Sequence, residues 1–265
     1  MKLENKQVLI DAVENADLVL IGIGEEWGIS FDEMLKEQSF AKNYGKLTDE
    51  EEKNRFVPLL QREYLKDIHN ETLKNAYDNL LQLVKDKNYF LISMNKDRFP
   101  VMIGFKKEKC VFPCGGYEML QCDHGCEEKL MDASSELDEI YQIMDQKKQA
   151  SGLQMPLCPV CGKEMVFNNI EAVRYLEKGY LPAWEYYMKW LQGTVNKRLC
   201  LLELGVSLRF PSVIRWPFEK TTFYNQKAEM FRIHHSLSQT MENISDRCYS
   251  CSENSMTYLS NLFVS

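Results

Sequence analysis

The chain has no apolar run approaching the roughly 18 residues needed to cross a bilayer. That predicts no membrane partner. It also has no excess of positive charge. Lys and Arg number 32 against 39 Asp and Glu, a formal net charge of −7 over 265 residues. An acidic balance argues against a general nucleic-acid binder, which needs a basic surface for phosphates. No internal repeat and no low-complexity segment is present. The first residues, MKLENKQVLIDAVENADLVLI, carry acids through their apolar stretch and do not read as a signal peptide. The expectation is a soluble cytoplasmic protein. Apolar residues make up 45% of the chain, enough for a core, so wholesale disorder is excluded.

What is present in quantity is cysteine, at nine positions: 110, 114, 122, 126, 158, 161, 200, 248 and 251. An odd number fits a disulfide framework poorly, and a reducing compartment disfavours one. Clustered pairs then point to metal. Cys122-x3-Cys126 and Cys158-x2-Cys161 are two close pairs, the second in a turn context, LCPVCGKEM. Together they supply four tetrahedral thiolates at about 2.3 Å, a structural zinc site with no open position for water. His124 lies inside the first pair and reads as a bystander, since four cysteines complete the shell. Cys248 and Cys251 read as two free thiols in a polar tail. Cys110 and Cys200 lie in apolar runs and read as core.

Short apolar runs alternate with longer helical patterns. The expected strands are Asp17–Gly22, Tyr89–Met94, Cys110–Cys114, Cys200–Gly205 and Met230–His234. Helical periodicity covers Glu51–Lys87, where Glu50-Glu51-Glu52-Lys53 reads as a solvated start, and Ile170–Leu191. The aromatics of the second pattern, Trp184 and Trp190 among them, read as core. Strands alternating with helices imply an α/β fold with a mainly parallel sheet. The uneven spacing, with the paired cysteines between the third and fourth strands, makes the sheet domain discontinuous. The Ser- and Asn-rich stretch from Ser236 to Ser265 has weak periodicity, and His69 and His235 receive no role.

Three segments carry nucleotide-site chemistry. The first strand runs into Gly22-Ile23-Gly24-Glu25-Glu26-Trp27-Gly28, where glycines let a backbone approach a phosphate. Glu25 and Glu26 stand where a diphosphate would come, which is repulsive unless the side chains turn away. The second strand ends in Ser93-Met94-Asn95-Lys96-Asp97, polar residues at the ligand edge of a parallel sheet. Asn95 offers an amide, and Asp97 a carboxylate that accepts a carboxamide N–H; an Asx turn is the alternative reading. The fourth strand runs into Gly205-Val206-Ser207-Leu208, glycine then hydroxyl again.

This order, with paired cysteines before the last segment, resembles the sirtuins, NAD-dependent protein deacylases and ADP-ribosyltransferases. The resemblance covers roughly Ala16 to His235. The family's N-x-D falls on Asn95 and Asp97, its two zinc pairs on Cys122, Cys126, Cys158 and Cys161, and its G-x-S on Gly205 and Ser207. The stretch ELGVSLRFPSVIRWPFEKTTFYNQKAEMFRIH is similar to the macrodomain-linked microbial branch, class M. The sequence departs from the pattern in four places. The phosphate-contacting serine of the family's glycine loop is absent, as is the arginine of the segment after it. The position of the catalytic histidine (glutamine in class M) falls on Cys114, and that of the adenine-ribose asparagine on His234.

The resemblance implies a Rossmann-like sheet with helices on both faces and a small inserted zinc domain. It places an NAD-binding domain at residues 1–116 and 171–265, with a helical insert at about 27–88, and a zinc-binding domain at 117–170. It implies transfer from NAD with nicotinamide release, as a protein ADP-ribosyltransferase or deacylase. Gly22, Gly24, Gly205, Ser207 and His234 would line NAD. Asp97 would bind the carboxamide, and Asn95 would orient the ribose or a water. Cys114 is a poor general base: a free thiol near pKa 8.5 is only a few per cent thiolate at pH 7. Deprotonated, it would be a nucleophile. An acylated or lipoylated protein is the implied acceptor. The competing reading, from Glu25, Glu26 and Cys114, is a catalytically impaired sirtuin-like module that binds NAD, ADP-ribose or a partner protein.

Overall fold

The computed structural model describes all residues except 46–49, 127, 148–149 and 265, and the backbone alone for 50–54. It forms two compact units. The larger comprises Met1–Gly28, Ile68–Pro113 and Tyr180–Ser265; the smaller comprises Ile29–Asp67 and Cys114–Gly179. In chain order the strands are β1 (Leu18–Ile23), β2 (Asn88–Ser93), β3 (Cys110–Val111), β4 (Gly115–Gln121), β5 (Val166–Asn169), β6 (Leu199–Leu204), β7 (Ala228–Ile233) and β8 (Cys248–Cys251).

The larger unit is built on a six-stranded sheet in the order β3-β2-β1-β6-β7-β8, with every pairing parallel. Strands buried on both faces read as continuous apolar runs. β1 (LVLIGI) and β6 (LCLLEL) do so, and each is buried at every position. Register puts Phe90 and Gly22 on one side of the sheet, with Phe90 beside Leu20 and Ile92 beside Gly22. On that side Phe90 meets Tyr187 of the Leu181–Gln192 helix at 5.3 Å between ring centroids. Gly22 has no Cβ because one would sit 2.5 Å from Ile214 and 3.0 Å from Phe218 of the Arg215–Tyr224 helix. The chain leaves β1 for β2 on one side and later returns to β6 on the other. The switch point of the sheet is therefore at β1 and β6, where ligands of open parallel sheets bind.

The five expected strands of this sheet appear within about two residues of their sequence bounds, except the third. It ends at Val111 rather than Cys114. Pro113 has no N–H to continue a ladder, and Gly115 at φ +72° turns the chain away. The single periodic stretch Glu51–Lys87 is two helices, Glu50–Tyr64 and Glu71–Val84. The second is started by Asn70, whose side chain accepts from the Leu73 N–H at 3.0 Å. Side chains 50–54, which include the expected solvated start, lie outside the described residues. The pattern from Ile170 becomes helix only at Leu181.

The Ser236–Ser265 stretch is not the polar tail its composition implies. It supplies β8 and the Ser255–Ser260 helix, with Cys248, Tyr258, Leu259 and Leu262 buried. Asn79 donates to the Leu259 and Ser260 carbonyls at 2.9 and 3.0 Å, tying that helix to the Glu71–Val84 helix. Cys248 and Cys251 are thus buried residues of an edge strand. Three positions apart on a strand, they point to opposite faces.

The smaller unit pairs β4 with β5 in an antiparallel ribbon. Gln121, buried at the end of β4, donates to the Arg174 carbonyl at 2.7 Å and accepts from Asn168 at 2.6 Å and from the Leu176 N–H at 3.0 Å. These bonds hold the segment after β5 to β4.

Candidate active site

The four clustered cysteines meet in the smaller unit. Cys122 follows β4, and Cys158 and Cys161 precede β5. Each pair sits on a turn with a left-handed glycine, Gly125 at φ +68° and Gly162 at φ +69°. The second turn is closed by Cys158 N–H to the Lys163 carbonyl at 2.8 Å and Gly162 N–H to the Cys158 carbonyl at 2.9 Å. The sulfurs lie 3.2 Å (Cys122–Cys126), 3.7 Å (Cys122–Cys161) and 3.3 Å (Cys126–Cys158) apart. Bonds of about 2.3 Å in a tetrahedron give edges near 3.8 Å, so the set fits one zinc ion. The thiols compete for protons: the hydrogen bond with Cys126 lowers Cys122 to about 6, and the same bond raises Cys126. His124 is exposed on the first turn and outside the cluster.

In the larger unit, the loops after β1 and β6 touch at the switch point. Gly24 N–H donates to the Leu204 carbonyl at 2.8 Å. A Cβ on Gly24 would lie 2.2 Å from the Gly205 carbonyl oxygen, so only glycine fits. Gly205 itself has φ +66°. Gly22, by contrast, lies inside β1 against the Arg215–Tyr224 helix.

Asn95 and Asp97 are both buried beyond the end of β2. Asn95 Nδ2 donates to the Gly24 carbonyl at 3.1 Å, and its N–H donates to Ser93 Oγ at 3.2 Å. Gly28 leaves room for its Oδ1, which a Cβ there would approach to 2.8 Å. Asp97 makes the Asx turn: its Oδ1 accepts from the Phe99 N–H at 3.1 Å. That donor is too little to offset complete burial, which pushes Asp97 up to about 7. Tyr77 on the Glu71–Val84 helix is fully buried, with its hydroxyl near Asn95 and within electrostatic reach of Asp97. Its ring packs edge-on against Trp27 at 4.7 Å. Cys114 belongs to the smaller unit, where it is buried and its carbonyl accepts from the Ile170 N–H at 3.1 Å.

The two glutamates of the glycine turn do not face away. Glu25 Oε2 accepts from the Ser207 N–H at 3.1 Å, while Ser207 Oγ accepts from the Arg209 N–H. Glu26 Oε2 accepts from the Ser255 N–H at 2.7 Å and hydroxyl at 2.6 Å, and Oε1 from the His235 N–H at 2.9 Å. His235, given no role from sequence, also pairs through Nδ1 with Glu26 at 2.5 Å. Burial opposes the Glu26 charge, but the Ser255 and His235 donors outweigh it and leave its pKa below the ordinary value. Glu26, His234 and His235 lie close enough to share a metal ion. His234 is not arranged for one through Nδ1, whose lone pair accepts the Ser236 and Leu237 N–H groups at 3.1 Å each. Burial lowers the His234 pKa and keeps the ring neutral.

Sequence reasoning missed a second acidic centre on the same sheet. Glu203 of β6 and Arg232 of β7 are register partners, both fully buried. They form a two-point pair at 2.7 and 2.9 Å, extended by Arg232 to Glu219 at 2.8 Å and Arg215 to Glu203 at 3.4 Å. The available signal was one charge of opposite sign at the fifth position of each strand, LCLLEL and AEMFRI. Ser255 had no comparable signal, because its segment reads as tail.

No family model matches the chain. It is 23% identical over 277 residues to a protein ADP-ribosyltransferase of Staphylococcus aureus (strain Mu50 / ATCC 700699), covering 97% of this chain and 87% of that protein. It is 29% identical over 141 residues to a probable bifunctional ADP-ribose hydrolase/ADP-ribosyltransferase of Fusarium oxysporum f. sp. cubense, covering 49% of this chain but 23% of that protein. Among solved structures, a mutant Sir2 homologue in complex with 2′-O-acetyl-ADP-ribose superposes with TM-score 0.58 at 13% identity, covering 97% of this chain and 94% of that one. Sir2Tm bound to a propionylated peptide gives TM-score 0.53 at 13% identity over 98% and 97% of the two chains. Over nearly its whole length, the chain has the fold of the sirtuins.

Proposed function

We propose that the protein is a sirtuin-like NAD-dependent transferase that moves ADP-ribose from NAD to a protein acceptor and releases nicotinamide, with deacylation as the related activity. One observation carries this reading. Asn95 and Asp97 are both buried beyond the end of β2, Asn95 fixed to the glycine turn at the switch point of a parallel sheet and Asp97 held in the Asx turn that follows. The names of both sequence relatives support the choice of ADP-ribosyl transfer.

NAD supplies an ADP-ribosyl group on a leaving nicotinamide. In this reading Asp97 takes the carboxamide and Asn95 the ribose or a water. Gly24, Gly205, Ser207 and His234 line the dinucleotide, with Gly22 supporting the turn from within β1. Cys114 is the general base or the nucleophile. The four-cysteine cluster holds a structural zinc ion. The acceptor is an acylated or lipoylated protein, and the compartment is the cytoplasm, a reading that the odd number of cysteines supports.

The test is nicotinamide release from NAD by the zinc-loaded protein with an acylated or lipoylated acceptor protein present. Release is expected, with Cys114→Ala abolishing it while NAD binding persists. Asp97→Asn is expected to lower kcat/KM by about tenfold or more through weaker nicotinamide recognition. Absence of both NAD binding and release would overturn the reading. The Glu25 and Glu26 contacts favour a second one, a catalytically impaired module that binds NAD, ADP-ribose or a partner. Binding without release is its signature.

A further inference from the structure

The Glu26 carboxylate, carried on the turn after β1, sits among the segments that follow β6, β7 and β8 in the larger unit, and its side chain is only 7% exposed. Four donor contacts from two residues surround its oxygens: the Ser255 N–H and hydroxyl at 2.7 and 2.6 Å, and the His235 N–H and Nδ1 at 2.9 and 2.5 Å. The backbone is shaped to admit it. A Cβ on Gly205 would meet Glu26 Cβ at 2.5 Å and Ser255 Oγ at 2.6 Å. Next to it, the Ser207 N–H is taken by Glu25.

Main-chain N–H groups, a hydroxyl and an imidazole converging on one point are the donor set that receives a phosphate group. Here they are filled from within. An incoming anion meets a fixed like charge and donors that are already satisfied.

We propose that Glu26 is a specificity-determining residue of this crevice. Its carboxylate is a built-in anion on the Ser255 and His235 donors, so the crevice discriminates against the diphosphate of a dinucleotide and takes the uncharged nucleoside portion in preference. The inference rests on the reading of this crevice as a nucleotide site. It predicts that turnover of NAD needs Glu26 displaced, for instance by the acceptor.

The experiment is calorimetric titration of the full chain with adenosine and with ADP-ribose. In the unmutated protein, ADP-ribose is expected to bind no more than about threefold tighter than adenosine. Glu26→Gln, which keeps the size and removes the charge, is expected to gain about tenfold or more for ADP-ribose and little for adenosine. As a measurement independent of any variant's folding, inorganic pyrophosphate should leave the Ser255 and His235 amide resonances of the unmutated chain in place. Pyrophosphate that moves those resonances would overturn the proposal, as would a diphosphate preference already present in the unmutated protein. A folded Glu26→Gln with no gain would do the same. Nicotinamide release together with that failure would leave the transferase reading standing. If neither chain binds adenosine or ADP-ribose, the inference and the nucleotide reading both fall.

Discussion

Glu203 and Glu26 are both buried toward the carboxyl ends of one parallel sheet, and their surroundings differ in kind. Glu203 faces two guanidinium groups: Arg232 in two-point contact, and Arg215 at 3.4 Å. Glu26 faces main-chain N–H groups, a hydroxyl and a histidine. The first arrangement balances charge with charge. Arg232 and Arg215 also donate to the carbonyls of Leu237 and Gln239, so the network fixes the loop after β7. The second balances charge with donors that an exogenous anion could use equally well. Asp97 is a third case, with complete burial and little compensation. A buried acid matched to arginine reads as scaffold, whereas one matched to main-chain, hydroxyl and imidazole donors, or barely matched, marks a place where a ligand changes the balance.

The largest effect should come from breaking the charge-balanced centre. Glu203→Gln leaves the fully buried Arg232 with Glu219 as its remaining carboxylate partner. Removing one member of a buried pair costs about 3–5 kcal/mol. Denaturant unfolding should show that loss, and the double variant Glu203→Leu, Arg232→Leu should recover most of it. A single-variant loss under about 1 kcal/mol would mean that Glu219 alone satisfies Arg232 and that the contrast with Glu26 is overdrawn.

A smaller effect of opposite sign is expected at Asp97. Burial pushes its carboxyl up to about 7 in the folded chain, from an ordinary value of 3.8. The folded state therefore holds the proton more tightly than the unfolded one. The resulting penalty is fully present above pH 7 and fades as pH falls from 7 toward 4, reaching at most about 4 kcal/mol. Asp97→Asn should therefore stabilise the protein at pH 8 and lose that advantage near pH 4, in paired unfolding curves. A gain equal at both pH values would show that ionisation is not its source. Stabilisation together with lost nicotinamide release would make Asp97 a site residue maintained at a cost in stability.

Much of this was legible in the sequence, for definite reasons. β1 and β6 are uninterrupted apolar runs bounded by glycines, and the cysteine pairs bring their own turn residues. Asn95 and Asp97 follow directly from the end of β2. What stayed hidden depends on partners distant in sequence. Ser255 lies 229 positions from Glu26, and His235 lies 209 away. Sequence reasoning weighed Glu26 against a phosphate, because Ser255 fell in a stretch of weak periodicity and His235 was given no role. β8 was missed for the same reason. CYSC is too short to show a period, and it is a strand only because β7 offers an unpaired edge.

The smallest expected effect tests the comparison most directly. If the Ser255 and His235 donors truly hold a charge at Glu26, Glu26→Gln should cost about 1–3 kcal/mol at pH 7, since an amide cannot accept at both positions. The folded-state pKa of Glu26 lies below its ordinary value of 4.5 because the Ser255 and His235 bonds outweigh burial. Its contribution is therefore present above pH 4.5 and is lost as pH falls through the lowered value. The gap between the unmutated protein and Glu26→Gln in guanidinium unfolding should be full at pH 6 to 7 and close at lower pH. A Glu26→Gln gap that persists unchanged into acid would mean that the donors hold the side chain's shape rather than its charge. Glu26 would then belong with Glu203 as scaffold.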